Sequence, residues 1–195
     1  MIKTIIFDFD GVIHDTNEVV FNLNAKFSGI SPEEVKAAFS GNIYSDNKIK
    51  LVDQEDFFKE AKPFYQQFLI EVETLQFLLK NDKKHMSIIT SNDEEIIMEY
   101  AKRNNITDYF KEVYGYQTSH SKVEKLHILF NKYDLDVNEA IFITDSLGDI
   151  KEGTHFGIRT IGVDFGIHSK ETLQEGNPHA ICSSWDEVQK IIDTL

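Results

Sequence analysis

Cysteine is nearly missing from this chain. Cys182 is the only one among 195 residues, so no disulfide within the chain is possible and a reducing compartment fits best. Nothing beside Cys182 suggests a nucleophile, and it reads as a small buried hydrophobe. Positive charge is also scarce, with 20 Lys and Arg against 33 Asp and Glu and a formal net charge of −13. No Lys/Arg cluster could form a basic patch, which argues against a nucleic-acid partner. No apolar run approaches the roughly 20 residues that span a bilayer, so no membrane association is expected. The N-terminus opens directly on a strand, without a secretory leader, and a cytoplasmic location follows as the expectation. Of the seven histidines, His120, His127, His155, His168 and His179 show no ligand spacing with cysteine or with one another, so zinc is not expected.

What the chain does have is apolar bulk. Hydrophobic residues make up 41%, with 15 Phe and seven Tyr, enough for one good core and a small appended domain. Most of the acids read as solvated helix faces. Their excess still has a consequence: an anionic ligand needs local cations, from a metal or a well-placed lysine, to offset the general field.

The run Lys3-Thr4-Ile5-Ile6-Phe7-Asp8 is apolar and ends in an acid, which suits a strand buried on both faces. Similar runs recur at Met86–Thr90, Ala140–Thr144 and Thr160–Val163, with a weaker one at Ala180–Cys182. Helix-like stretches at Asp93–Asn104, Val123–Tyr133 and Leu147–His155 separate them. This alternation predicts a parallel sheet wrapped by helices. Residues 16–69 break the rhythm and predict a helical insertion after the first strand. Within it, Ser31-Pro32-Glu33-Glu34 is a helix start, with Ser31 as N-cap and Glu34 closing a capping box. The aromatics Phe57, Phe58, Phe64, Tyr65 and Phe68, between Gln54 and Leu69, recur at helical spacing. They read as helical core rather than ligand contacts, and Pro63 is expected to kink or divide the stretch.

Ligands of an open parallel sheet bind at the carboxyl ends of its strands. There the sequence puts Asp8-Phe9-Asp10-Gly11, then Thr90-Ser91-Asn92, then Asp145-Ser146 with Asp149 beyond. Lys122 opens the helix that precedes the Ala140–Thr144 strand. Phosphoryl transfer uses such a set. One carboxylate of the Asp8/Asp10 pair can act as nucleophile, and the other can protonate the departing alkoxide and later take a proton from water. A hard cation with oxygen ligands must then stand between carboxylates and phosphate; magnesium suits, with Asp145 as a further ligand. Lys122 and the Thr90 hydroxyl would hold phosphate oxygens. Blander readings stay open: Thr90 as a helix cap, Lys122 as an ordinary surface lysine, and Asp149 as a first-turn acid favoured by the helix dipole.

In this order Asp8-Phe9-Asp10-Gly11-Val12, Ile88-Ile89-Thr90-Ser91-Asn92, Lys122 and Ile143-Thr144-Asp145-Ser146-Leu147-Gly148-Asp149 resemble the four motifs of the haloacid dehalogenase superfamily. The insertion resembles the helical cap of its phosphoglycolate phosphatase and β-phosphoglucomutase branch, on the short side. The resemblance implies an α/β fold, a Rossmann-like three-layer sandwich over 1–15 and 70–195, with a small all-helical cap over 16–69. It implies Asp8 as nucleophile and Asp10 as general acid/base. Thr90 and Lys122, with Ser91 and Gly11 beside them, would bind phosphate. Asp8, the carbonyl of Asp10, Asp145 and Asp149 would bind Mg²⁺. Asp15-Thr16 matches the pair that opens the linker into the cap. Thr144 stands where many members have Gly or Glu, and Val123 where many have Pro after the lysine. His14 replaces a residue that is usually apolar.

The expected activity is that of a magnesium-dependent phosphatase acting on a small phosphorylated metabolite through an aspartyl-phosphate. A phosphomutase is the enzymatic alternative. Dehalogenases of the superfamily generally lack the second acid, so Asp10 speaks against that chemistry. From a different class, a phospho-acceptor signalling module resembles the set, but there the phosphorylated acid ends the third strand and no insertion follows the first. Asn42, Tyr44 and Ser45 are candidates to face the site from the insertion. The substrate and the oligomeric state are not legible.

Overall fold

The computed structural model describes residues 1–42 and 54–195. Strand β1 (Thr4–Phe7) is buried along its whole length, as an apolar run must be when helices cover both faces of a sheet. Beside it lie β2 (His85–Ile89) and, on the other side, β4 (Ala140–Thr144). Outside β2 runs β3 (Phe110–Tyr114); outside β4 come β5 (Arg159–Val163) and β6 (Ala180–Cys182). The order is β3-β2-β1-β4-β5-β6 and every pairing is parallel. The sequence reading anticipates all of these strands except β3.

The two-residue period of a strand divides the core in two. Ile5, Phe7, Met86, Ile88, Ile141 and Ile143 face one side, with Phe77, Ile97, Trp185 and Val188. Ile6, Ile89, Ala140 and Phe142 face the other, with Leu126, Leu129 and Phe130. The covering helices are α4 (Val72–Lys80), α5 (Glu94–Arg103) and α9 (Trp185–Thr194) on the first side, and α6 (Lys122–Tyr133) on the second. Helices α7 (Leu147–Phe156) and α8 (Lys170–Gln174) follow β4 and β5. Helices α5, α6, α7 and α9 begin on side-chain caps, from Asp93, Ser121, Ser146 and Ser184, which satisfy amides that have no partner inside the helix.

Between β1 and α4 the chain forms α1 (Asn17–Ser28), α2 (Pro32–Ala38) and α3 (Gln54–Tyr65). The expected capping box is present: Glu34 N–H donates to Ser31 Oγ at 3.3 Å, and Ser31 N–H donates to Glu34 Oε2 at 2.7 Å. Helix α3 continues through Pro63 and stops at Tyr65, short of the aromatic stretch that suggested it. Phe27 of α1 meets Phe57 of α3 at 5.9 Å between ring centroids, and both pack against the same apolar cluster that covers the first side of the sheet.

Candidate active site

β1 sits where the strand order reverses, with β2 and β4 on either flank. The crevice beyond such a point is where this architecture binds ligands. A cavity of about 140 Å³ opens there. Of the residues singled out in the sequence, Asp8, Asp10, Thr90, Ser91, Lys122, Asp145 and Asp149 all line it, and Gly11 does not.

The backbone explains why two acids separated by one residue share a cavity. Asp8 N–H still bonds the Ile143 carbonyl at 2.9 Å, which prolongs the ladder past β1. The chain then turns: Val12 and Ile13 donate to the Phe9 carbonyl, and Gly11 takes φ +72°, a conformation that suits glycine. Gly11 has a second reason to lack a side chain, since a Cβ there would lie 1.9 Å from Asp145 Oδ2. From the other side a Cβ on Gly166 would lie 2.2 Å from Asp145 Cβ. The two glycines form a slot for Asp145, and its Oδ2 accepts the Ile167 N–H at 2.7 Å.

Lys122, 3% exposed, is the one cationic side chain among the described lining residues. Its Nζ lies 2.8 Å from Asp8 Oδ2 and also donates to Asp149 Oδ2. Thr144 Oγ1 donates to the same Asp149 oxygen at 2.9 Å. Burial opposes the Asp149 carboxylate, but Lys122, Asp8 and Thr144 outweigh it and hold the group below the usual carboxylate range. Burial pushes Asp8 well above that range, only partly countered by Lys122. Burial also lifts Asp145, to about 7, against the pull of the Ile167 amide. Lys122 itself is held above the usual lysine range, because Asp149 and Asp8 overcome the cost of its burial. One ammonium thus serves two carboxylates.

Thr90 is fully buried, and its Oγ accepts the Asn92 N–H at 3.1 Å. Lys125, also fully buried, donates from Nζ to the Thr90 carbonyl. Burial and the neighbouring Lys122 lower Lys125 to about 8. Asp10 Oδ1 accepts from Thr16 Oγ1 at 2.8 Å and from the Tyr65 hydroxyl, and its Oδ2 accepts from Asn92 Nδ2 at 2.9 Å. His14 stacks on Phe68 at 4.3 Å. Tyr65, Lys125 and Gly166 are neighbours of the site that the sequence reading does not single out for it; Asn92 it places at the strand end without a role. For Tyr65 the only signal is its membership of the aromatic stripe.

The opposite wall belongs to the insertion, with Val20, Phe57 and Phe58 beside Asn17, Asn24 and Gln54. Asn42 also lines the cavity and donates to Glu152 Oε1 at 3.1 Å; Tyr44 and Ser45 lie outside the described residues. The end of α2 is tied to the sheet side. Gly148 N–H reaches the Phe39 carbonyl at 3.0 Å, Lys151 Nζ the Ser40 carbonyl at 3.0 Å, and His168 Nε2 the Lys36 carbonyl at 2.9 Å. His168 Nδ1 accepts the Leu147 N–H at 3.0 Å, so both ring nitrogens are engaged in the neutral tautomer with Nε2 protonated. A Cβ on Gly148 would come within 2.4 Å of the Gly41 carbonyl oxygen.

Among the described residues, no three Asp, Glu, His or Cys side chains are grouped so as to hold a metal unaided. A cation here would draw on the carboxylates of Asp8 and Asp145, the Asp10 carbonyl, and solvent or phosphate oxygens. Among the described residues no helix is long and apolar enough to cross a membrane.

Comparison with known proteins agrees with this fold. Residues 5–163 match the family model described as haloacid dehalogenase-like hydrolase. Pyrophosphatase PpaX of Bacillus pumilus is 22% identical, over 98% of this chain and 96% of its own. A phosphoglycolate phosphatase of Pseudomonas fluorescens is 22% identical, over 97% of this chain and 78% of its own. Among solved structures, a haloacid dehalogenase-like family protein from Streptococcus pneumoniae superposes with a TM-score of 0.77 at 20% identity, covering 97% of this chain and 98% of that one. The L-2-haloacid dehalogenase of Xanthobacter autotrophicus gives 0.67 at 13% identity, with 99% of each chain covered.

Proposed function

The chain belongs to the haloacid dehalogenase-like hydrolases, and from that premise we propose that it is a magnesium-dependent phosphatase of small phosphate monoesters, with Asp8 as nucleophile. The observation that carries this reading is the meeting of Asp8, Asp10, Thr90, Lys122 and Asp145, from three strand ends and one helix start, around one cavity.

In the first half-reaction a carboxylate oxygen of Asp8 attacks phosphorus. The bond from phosphorus to the ester oxygen breaks, and its electrons leave on that oxygen. Asp10 supplies the proton that makes the leaving group an alcohol. In the second half, Asp10 takes a proton from water, and the water oxygen attacks the phosphorus of the aspartyl-phosphate. Phosphate departs and the Asp8 carboxylate is restored. In this proposal Lys122 and Thr90 meet the phosphoryl oxygens. Asp149 serves this reading as the anchor of Lys122, since its Oδ2 is already taken by Lys122 and Thr144.

The donor set fits a hard dication. All the candidate ligands are oxygens, and Asp8 and Asp145 are acids that burial holds above their usual range, so charge beside them is wanted. When bound, Mg²⁺ would offset the repulsion between these carboxylates and the phosphate. The insertion over 16–69 acts in this proposal as a cap that selects the leaving group. Its apolar and amide-bearing wall supports an uncharged organic leaving group. The names of the relatives, pyrophosphatase and phosphoglycolate phosphatase, support small anionic phosphates as the second reading.

The test is phosphate release from p-nitrophenyl phosphate with MgCl₂, followed by a panel of phosphorylated metabolites that includes pyrophosphate and phosphoglycolate. Release should stop with EDTA and in Asp8→Asn. An Asp8→Asn protein that still turns over would remove the nucleophile, and a long-lived phosphorylated Asp8 without turnover would favour a signalling module.

A further inference from the structure

We infer that Tyr65 is a positioning residue through which the helical insertion sets the orientation of Asp10. The inference rests on the reading of Asp10 as general acid/base.

Three side chains close a triangle. The Tyr65 hydroxyl donates to Asp10 Oδ1. Asn92 uses both hydrogens of its amide, one on Asp10 Oδ2 at 2.9 Å and one on the Tyr65 hydroxyl oxygen at 2.8 Å. The three corners come from α3 of the insertion, the turn after β1 and the turn after β2. Each corner is fixed in turn. Asn92 Oδ1 accepts the Asp93 N–H at 2.8 Å, and Asn92 N–H reaches Thr90 Oγ at 3.1 Å. The Tyr65 ring packs on Phe9 and Phe68, with centroids at 6.1 and 5.5 Å. Arg103 donates to the Tyr65 carbonyl at 2.8 Å, which fastens the end of α3 to α5.

A carboxylate on a short side chain rotates freely unless its oxygens are held, and catalysis by a proton donor depends on where that donor points. Thr16 alone would restrain one oxygen of Asp10. Tyr65 and Asn92 restrain both, and Tyr65 does so from the element that covers the substrate. A buried tyrosine hydroxyl needs some partner in any fold. A purely structural tyrosine and a positioning one therefore differ in what their loss does to the reaction, not in whether a bond exists.

The distinguishing readout is the leaving group. An acid that protonates the departing oxygen matters little for a nitrophenolate and greatly for an alkoxide, so a misplaced Asp10 costs most with poor leaving groups. The experiment measures kcat/KM with MgCl₂ for p-nitrophenyl, phenyl and benzyl phosphate. This parameter covers the steps through transfer to Asp8. Wild type, Asp10→Asn, Tyr65→Phe and Asn92→Ala are compared, with thermal melts as a check on folding. Asp10→Asn should steepen the dependence on the leaving group. Tyr65→Phe should steepen it in the same sense, losing about tenfold more on benzyl than on p-nitrophenyl phosphate. Asn92→Ala removes another corner without touching the ring and should repeat the pattern, so it carries the test if Tyr65→Phe does not fold. A Tyr65→Phe protein that loses the same factor on all three esters, or none, while Asp10→Asn steepens the series, would overturn the role of Tyr65. A flat series in Asp10→Asn would instead remove the acid/base reading itself, and the inference with it.

Discussion

Lys122 Nζ lies 2.8 Å from Asp8 Oδ2, and both residues are buried at the wall of the cavity. Because the same ammonium also holds Asp149, replacing Lys122 with Met leaves two buried acids without their counter-charge. Breaking a buried pair from one side costs about 3–5 kcal/mol. Lys122→Met should therefore melt well below wild type and release no phosphate, and added MgCl₂ should restore part of the lost melting temperature. Thermal shift with and without the metal checks both; an unchanged melting temperature would mean that the pair carries no such weight.

If Asp145 holds a cation as proposed, metal uptake should release protons. Its carboxyl is lifted by burial to about 7, so near that pH a substantial fraction carries a proton, which a cation must displace. Release should grow as the pH falls below 7 and fade above it. Calorimetric titration of Mg²⁺ in buffers of different ionisation enthalpy measures the protons released, and Asp145→Asn should remove that contribution.

The slot around Asp145 gives a third expectation. Gly166→Ala would drive a methyl group to within 2.2 Å of Asp145 Cβ, and overpacking of this kind costs about 1–3 kcal/mol. Because the displaced atom belongs to a proposed metal ligand, the loss of Mg²⁺ affinity should exceed what the melting temperature suggests. Comparing Mg²⁺ titrations of activity with melting of the metal-free protein separates the two effects.

Lys125 supplies a pH dependence of stability. Burial and Lys122 lower it from the model-compound value of 10.5 to about 8. Between those values the unfolded chain binds the proton more readily, so the Lys125 contribution to stability is present above 10.5 and is lost as pH falls through about 8. The difference is on the order of 3 kcal/mol at most. Urea unfolding at pH 7.5 and 10 should show wild type gaining on Lys125→Met at the higher pH. Equal gaps at both would mean that Lys125 titrates normally.

The strand ends were legible because continuous apolar runs such as Thr4–Phe7 and Ala140–Thr144 belong to strands buried on both faces, and the residues after them fall at one edge by topology. β3 leaves no such run, because it is an outer strand whose residues, Phe110-Lys111-Glu112-Val113-Tyr114, carry charge and are only partly buried. Spacing predicted that the aromatic stripe would pack, and it does at Phe57, Phe58, Tyr65 and Phe68, but Phe64 is exposed, so that part of the expectation fails. It could not tell what the Tyr65 hydroxyl would meet, since that depends on the docking of α3 against two separate turns. Nothing in the sequence marks Lys125, yet it is fully buried and its ammonium is spent on the Thr90 carbonyl. The Gly166 requirement arises from Asp145, which lies remote in the chain, and leaves no local mark.

The carbonyls at the end of α2 are held by Gly148, Lys151 and His168. These bonds join the insertion to α7 and to the segment after β5, so moving the end of α2 away from the sheet side requires all three to break. On the insertion side the tie is made by main-chain oxygens of Lys36, Phe39 and Ser40, which no side-chain substitution at those positions removes directly.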